Sequence, residues 1–142
     1  MDIVVCPNCG AKNRIGHADS SREKPRCGRC GADLPWLVQA TDQSFDSEAD
    51  APMPVLVDLW APWCGPCRVV GPVLEELSRD LAGRLKVIKI NVDDNPRLAA
   101  RFEARSIPTL VLLQDGQVRE RVVGAQPKAA LRRLVDRYLQ TA

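Results

Sequence analysis

All six cysteines of this 142-residue chain fall in C-x-x-C pairs: Cys6 with Cys9, Cys27 with Cys30, and Cys64 with Cys67. No other feature restricts its possible structures so strongly. Two thiols at this spacing can close a small disulfide ring or fill half of a tetrahedral metal site, so the surroundings of each pair decide its chemistry. The third pair lies in Trp63-Cys64-Gly65-Pro66-Cys67, between an apolar run, Val55 to Trp60, and a helical pattern beginning at about Pro66. The run reads as a buried strand and the pattern as an amphipathic helix. Cys64 then sits at a helix N-terminus, where unpaired backbone N–H groups stabilise a thiolate, and redox chemistry is expected.

The first two pairs form C-x2-C-x17-C-x2-C, with Gly10 and Gly31 each following a second cysteine. That spacing suits a zinc ribbon: each pair supplies two thiolates from a tight knuckle, and the glycine lets the chain turn with positive φ. Cys6, Cys9, Cys27 and Cys30 are therefore candidate Zn2+ ligands in a domain covering 1–35. So short a stretch, with few large apolar residues, needs the metal for much of its folding free energy. The competing reading of these cysteines is two disulfides or four free thiols. His17, the lone histidine, reads as a solvated loop residue because four cysteines already complete a tetrahedral site. Zinc thiolates can be oxidised to disulfides with loss of metal, so the ion is expected to be structural or a redox sensor.

Charge excludes little but argues against nucleic acid as a partner. Residues 1–40 carry six Lys and Arg against four Asp and Glu, and residues 41–142 carry fourteen of each. Four thiolates around one Zn2+ add about −2, which cancels the N-terminal excess. Aromatics make up only 4% of the chain, so the core must rest on Val, Leu and Ile. Met1 to Cys6 shows no basic n-region, apolar h-region or cleavage site, and no later run approaches a membrane-spanning length. A cytoplasmic protein is expected, and in a reducing compartment metal binding and redox catalysis explain six cysteines better than a disulfide framework.

From about residue 36 to 142 the patterning predicts a second domain. Leu37 to Ala40 reads as an edge strand, with Thr41 or Asp42 capping a short helix that carries Phe45. Trp36 would either pack the ribbon onto this domain or cover a linker. Val55 to Trp60 is apolar except for Asp58, whose position beside the thiols implies burial and a raised pKa. The helix after Cys67 buries Val70, Val73, Leu74, Leu77 and Leu81 on one face, with a kink expected at Pro72. Leu85 to Val92 is a second strand with one central charge, Lys89, which has a plain reading as a snorkelling edge residue. A helix through Leu98 and Phe102, a strand from Leu110 to Gln114, a turn at Asp115-Gly116, a hairpin partner Gln117 to Val123 and a helix from Pro127 complete the order. This alternation predicts an α/β domain with a mixed sheet, parallel first and antiparallel after.

Over roughly residues 37–140 the chain resembles the thioredoxin family. The resemblance rests on Trp60-Ala61-Pro62-Trp63-Cys64-Gly65-Pro66-Cys67, on Asp58 and Lys89, on Ile107-Pro108-Thr109 and on Gly124-Ala125. With its cysteine-bearing extension it is similar to the second bacterial type, which carries an N-terminal zinc-binding domain. The resemblance implies a thioredoxin fold and a protein-disulfide reductase. In this role Cys64, exposed, attacks client disulfides, and the more buried Cys67 resolves the mixed disulfide. Asp58, assisted by Lys89, takes the Cys67 proton. The resemblance also makes Ile107-Pro108 a cis-proline segment. Trp63, Gly65, Pro66, Ile107, Pro108 and Gly124 would line the client groove, and an NADPH-dependent thioredoxin reductase would recycle the protein, which is expected to be monomeric. No organic cofactor is implied. Ser106 stands where many members have glycine, and Leu59 and Leu113 where phenylalanine is common, so the groove and the core packing are expected to differ locally. The Gly-Pro pair between the thiols resembles reductases rather than oxidases or isomerases. The reading from a different class is a binding module whose ribbon recognises a protein or RNA on a redox-type scaffold.

Overall fold

Two separate sheets appear in the computed structural model of the chain, which describes residues 2–15 and 23–139; the reading of His17 falls outside them. Strands β1 (Asp2–Val5) and β2 (Lys12–Ile15) pair antiparallel, and the first cysteine knuckle forms the turn between them. The two knuckles repeat one hydrogen-bond pattern. Cys6 N–H donates to Ala11 O and Gly10 N–H to Cys6 O, just as Cys27 donates to Ala32 and Gly31 to Cys27. Gly10 (φ +78°) and Gly31 (φ +79°) occupy the left-handed region that the expected turns require. The interior beneath the knuckles is small: Cys6, Cys27 and Leu34 are buried, with Val4, Ile15 and Ala32 packed partly against them.

The larger sheet follows the expected order of elements: β3 (Trp36–Gln39), α1 (Phe45–Ala49), β4 (Val55–Trp60), α2 (Gly65–Asp80), β5 (Lys86–Asn91), α3 (Pro96–Arg101), β6 (Thr109–Gln114), β7 (Gln117–Val123) and α4 (Lys128–Asp136). Its strands lie β3-β5-β4-β6-β7, with β3, β5 and β4 parallel and β6 and β7 antiparallel. β3 lies at the edge, as expected. Asp115 (φ +54°) and Gly116 (φ +77°) form a tight turn between β6 and β7, of the sort that matches strand twist.

Alternation along the central strands feeds two cores. Val55, Val57, Leu59, Ile88, Ile90, Val111 and Leu113 meet Phe45 of α1 and Leu98 of α3 on one face. Leu56, Val87, Leu110 and Leu112 meet Val70, Leu74 and Leu77 of α2 and Leu131 and Val135 of α4 on the other. β4 is therefore apolar on both sides because both sides are covered. Leu59 and Leu113 lie inside the first core, where their replacement of phenylalanine is a matter of packing. α2 continues through Pro72, and Val73 is only partly buried on its apolar face.

Two local expectations are corrected, and one further buried charge is found. Trp36 neither packs the ribbon onto the second domain nor covers a linker: it is 4% exposed and belongs to the α1/α3 core, since β3 begins with it. Asp42 does not cap α1. Its carboxylate accepts from the N–H groups of Arg97 (3.3 Å) and Leu98 (3.0 Å) and caps α3, while Thr41 and Ser44 bond to each other ahead of α1. Lys86, at the start of β5, is fully buried. Its ammonium donates to Glu48 O (2.6 Å), lies 3.4 Å from Glu48 Oε1 and sits 4.1 Å above the Trp36 ring.

Candidate active site and metal centre

β4 delivers the chain to a short turn, Ala61 to Trp63, and α2 starts immediately after Cys64. Cys64 is the helix N-cap, in an extended conformation (φ −86°, ψ 113°), and its Sγ accepts the Cys67 N–H at 3.2 Å. Pro66 fits the first turn because no bond is lost there. Cys64 and Cys67 are disulfide-bonded, with Cα atoms 5.3 Å apart. Arg68 reaches back from the helix to donate to Pro62 O at 3.1 Å, which ties the turn to α2.

The segment before β6 closes over this helix end. The Ile107-Pro108 peptide is cis, and the Ile107 carbonyl oxygen stands 3.6 Å from Cys64 Sγ. Gly124 (φ +90°) donates its N–H to Pro108 O at 2.8 Å. Ser106 has no positive φ, so a side chain costs nothing in backbone strain there. Trp63 projects outward, 67% exposed, with its indole N–H on the Asp93 carboxylate (3.0 Å to Oδ2). Gly65 and Pro66 are exposed beside it, and Ile107 is half-buried.

Exposure does not separate the two thiols as expected. Cys64 is 4% and Cys67 7% exposed, because Ala61, Trp60, Val92 and Ile107 pack around both sulfurs. What separates them is electrostatic: Cys64 Sγ holds the N-cap position and an N–H bond, and this stabilises its charged form.

Asp58, on β4, is 1% exposed and in register with Lys89 on one neighbouring strand and Leu110 on the other. All three face α2 and α4. Burial pushes the Asp58 carboxyl from 3.8 up to about 6, and the Lys89 charge only partly opposes it. Asp58 Oδ1 and Trp60 Nε1 are both buried without a hydrogen-bond partner among the described residues. Lys89 is half-buried, its ammonium 5.1 Å from the Trp60 ring centroid and close to Gly71. Sequence reasoning missed Asp93 and Arg68. Asp93 lies in Asp93-Asp94-Asn95-Pro96, whose residue types mark a turn and not a partner for an indole, and the Arg68 contact depends on how the preceding turn folds back.

The remaining four cysteines form a cluster of their own. Their sulfurs all lie within 4.8 Å of one another, with Cys6–Cys30 and Cys9–Cys27 both at 3.6 Å. A tetrahedron with Zn–S bonds of ~2.3 Å has sulfur–sulfur edges of ~3.8 Å, so the donor set fits that ion. N–H groups surround the sulfurs: Arg29 N–H and Asn13 Nδ2 point at Cys27 Sγ, and Asn8 Nδ2 at Cys30 Sγ. Such donors favour thiolates and orient the ligands.

Among the described residues no helix is long and apolar enough to cross a membrane. Thioredoxin is the family whose model matches, over residues 36–137. Thioredoxin from Bacillus subtilis is 50% identical over 103 residues, covering 72% of this chain and 98% of the relative. Thioredoxin 1 from Nostoc is 48% identical over 103 residues, covering 72% and 96%, and the Synechocystis thioredoxin is 49% identical over 102 residues, covering 71% and 95%. Relatives matched almost end to end by about 103 residues have no room for the cysteine-bearing N-terminal stretch. With its disulfide-forming pair at the start of α2, its mixed sheet and these matches, the chain belongs to the thioredoxin family of protein-disulfide reductases.

Proposed function

We propose that the Cys64–Cys67 dithiol reduces disulfides in client proteins and is regenerated by a thioredoxin reductase drawing on NADPH. The observation that carries this reading is the position of Cys64 Sγ, between the α2 N-terminus and the Ile107 carbonyl. The Cys64 thiolate attacks one client sulfur; an S–S bond forms, and the other client sulfur leaves as a thiolate and takes up a proton. Asp58 accepts the proton of Cys67, with Lys89 balancing the charge, and the Cys67 thiolate then attacks Cys64 Sγ. The client is released with two electrons and two protons gained, and the protein is left with its own disulfide. The carboxylate's pKa of about 6 suits that transfer near neutral pH. The Ile107 backbone pairs with an extended client chain beside its disulfide, flanked by Trp63, Gly65, Pro66, Pro108 and Gly124.

Residues 1–35 act as a zinc-ribbon domain preceding the reductase domain of 36–142, with Cys6, Cys9, Cys27 and Cys30 as ligands. Bound zinc supplies a crosslink between two knuckles whose shared interior is too small to hold them. A cytoplasmic location agrees with four cysteines kept as thiolates. The test is NADPH consumption coupled through a bacterial thioredoxin reductase to insulin reduction. Cys64→Ser is expected to abolish turnover and Cys67→Ser to accumulate a mixed disulfide at Cys64. Full turnover by Cys64→Ser would overturn the assignment.

A further inference from the structure

Arg121 lies on the edge strand β7, opposite Val111 of β6, and although the residue is exposed its guanidinium reaches back to the end of α3. Its Nη2 donates to the carbonyl oxygens of Phe102 and, at 2.8 Å, Glu103. Phe102 is the C-cap of α3, and Glu103 is the next residue, with φ +51°. That left-handed position at a helix end is normally glycine's, and here a glutamate occupies it. A guanidinium on the last carbonyls of a helix supplies the donors these groups lack and meets the negative end of the helix dipole.

The turn at Phe102 and Glu103 begins the segment that ends at Ile107 and Pro108. Three attachments outside its own backbone fix that segment: Arg121 at its start, Thr109 Oγ1 on Ser106 O (2.5 Å), and Gly124 N–H on Pro108 O (2.8 Å). β7 and the glycine that follows it therefore hold the segment at both ends. Without Arg121, what remains on the left-handed turn among the described residues is local backbone bonding: Phe102 to Leu98, Glu103 to Ala100, Ala104 to Ala99 and Arg105 to Glu103.

We propose that Arg121 is a positioning residue for protein substrates. By clamping the Phe102–Glu103 turn it sets where the Ile107 carbonyl stands beside Cys64, and so how well an extended client chain can pair there. This rests on the client groove proposed above. It makes a prediction that a purely stabilising role does not: losing Arg121 should impair clients that need backbone pairing and spare disulfides too small to use it.

The experiment is single-turnover oxidation of the reduced full-length protein, followed by tryptophan fluorescence, with insulin and with 5,5′-dithiobis(2-nitrobenzoate). Arg121→Ala should slow the second-order reaction with insulin about fivefold, as expected for a misplaced binding group, and leave the small disulfide within about twofold of wild type. Adding Glu103→Gly should restore most of the insulin rate, because glycine adopts the turn without a clamp. Should Arg121→Ala melt too low to assay, Arg121→Lys, which keeps one donor, carries the same comparison with a smaller loss. Equal losses on both substrates, no loss on insulin, or no recovery with Glu103→Gly would each overturn the proposal. A wild-type protein that reduces the small disulfide but not insulin would overturn the client reading itself, an outcome distinct from an unaffected Arg121→Ala.

Discussion

Asp58→Asn should make this protein more stable, and by an amount that pH controls. The carboxyl is 1% exposed, its Oδ1 has no partner among the described residues, and burial raises its pKa from 3.8 to about 6. Between pH 3.8 and about 6 the folded state retains a proton that the unfolded state has released, so stability falls as pH rises through that window. Above it both states are ionised and the folded state carries the full penalty; below it both are neutral and the penalty vanishes. The interval from 3.8 to about 6, at 1.36 kcal/mol per pH unit, sets that penalty at about 3 kcal/mol. The attraction to Lys89 is already contained in it, since that charge contributes to the folded-state value. Asparagine keeps the shape of the neutral acid, so the variant should gain about 3 kcal/mol at pH 8, about half of that at pH 5, and almost nothing at pH 3.5.

Urea unfolding of the oxidised protein, followed by tryptophan fluorescence, measures this directly. All three tryptophans, Trp36, Trp60 and Trp63, lie outside the ribbon, so the signal reports on the larger domain alone. An Asp58→Asn variant no more stable than wild type at pH 8, or a difference that does not change with pH, would refute the reasoning. The same variant should reduce insulin more slowly, because Cys67 loses its proton acceptor.

Lys86→Met leaves the Glu48 carboxylate buried without its ammonium partner and should lower stability by about 3–5 kcal/mol in the same urea assay, whereas Lys86→Met with Glu48→Leu should recover most of the loss. Stripping the metal with a chelator should abolish amide-exchange protection in β1 and β2 and leave the tryptophan-detected transition unmoved, because the ribbon's own interior is Cys6, Cys27 and Leu34 with little else.

What the sequence disclosed was local. Gly10 and Gly31 after their cysteines, the Asp115-Gly116 turn, and a six-residue strand buried on both sides each carry their conformation in residue type, and the order of elements follows from them. The β1–β2 hairpin was hidden because its turn is a cysteine knuckle with no ordinary hairpin signal, and Lys12-Asn13-Arg14 does not alternate apolar and polar. The burial of Cys64 was hidden because Ile107, which covers it, is 43 residues away. Asp42 illustrates the same limit: a good N-cap residue was legible, but the helix it caps begins 54 residues later, at Pro96. Lys86 carried no signal of its own in the sequence, because Trp36 and Glu48, brought in from two other elements, account for its burial.

The sheet buries charge on both faces and treats it in opposite ways. On the α1/α3 face the Lys86 ammonium has a carbonyl at 2.6 Å, a carboxylate at 3.4 Å and an indole ring at 4.1 Å, so a desolvated charge is met from several sides at once. On the α2/α4 face Asp58 has Lys89 in register but an oxygen without a partner among the described residues, and its carboxyl is held near 6. A charge buried only for structure gains nothing from being left short of partners, and Lys86 is not. A carboxyl that must exchange a proton near neutral pH loses that ability if it is fully satisfied, because each added hydrogen bond to the anion lowers its pKa. In the proposed proton transfer, the Asp58 oxygen that lacks a partner among the described residues is a condition of that role, and the desolvation expected to make wild type less stable than Asp58→Asn at pH 8 keeps the carboxyl able to accept a proton.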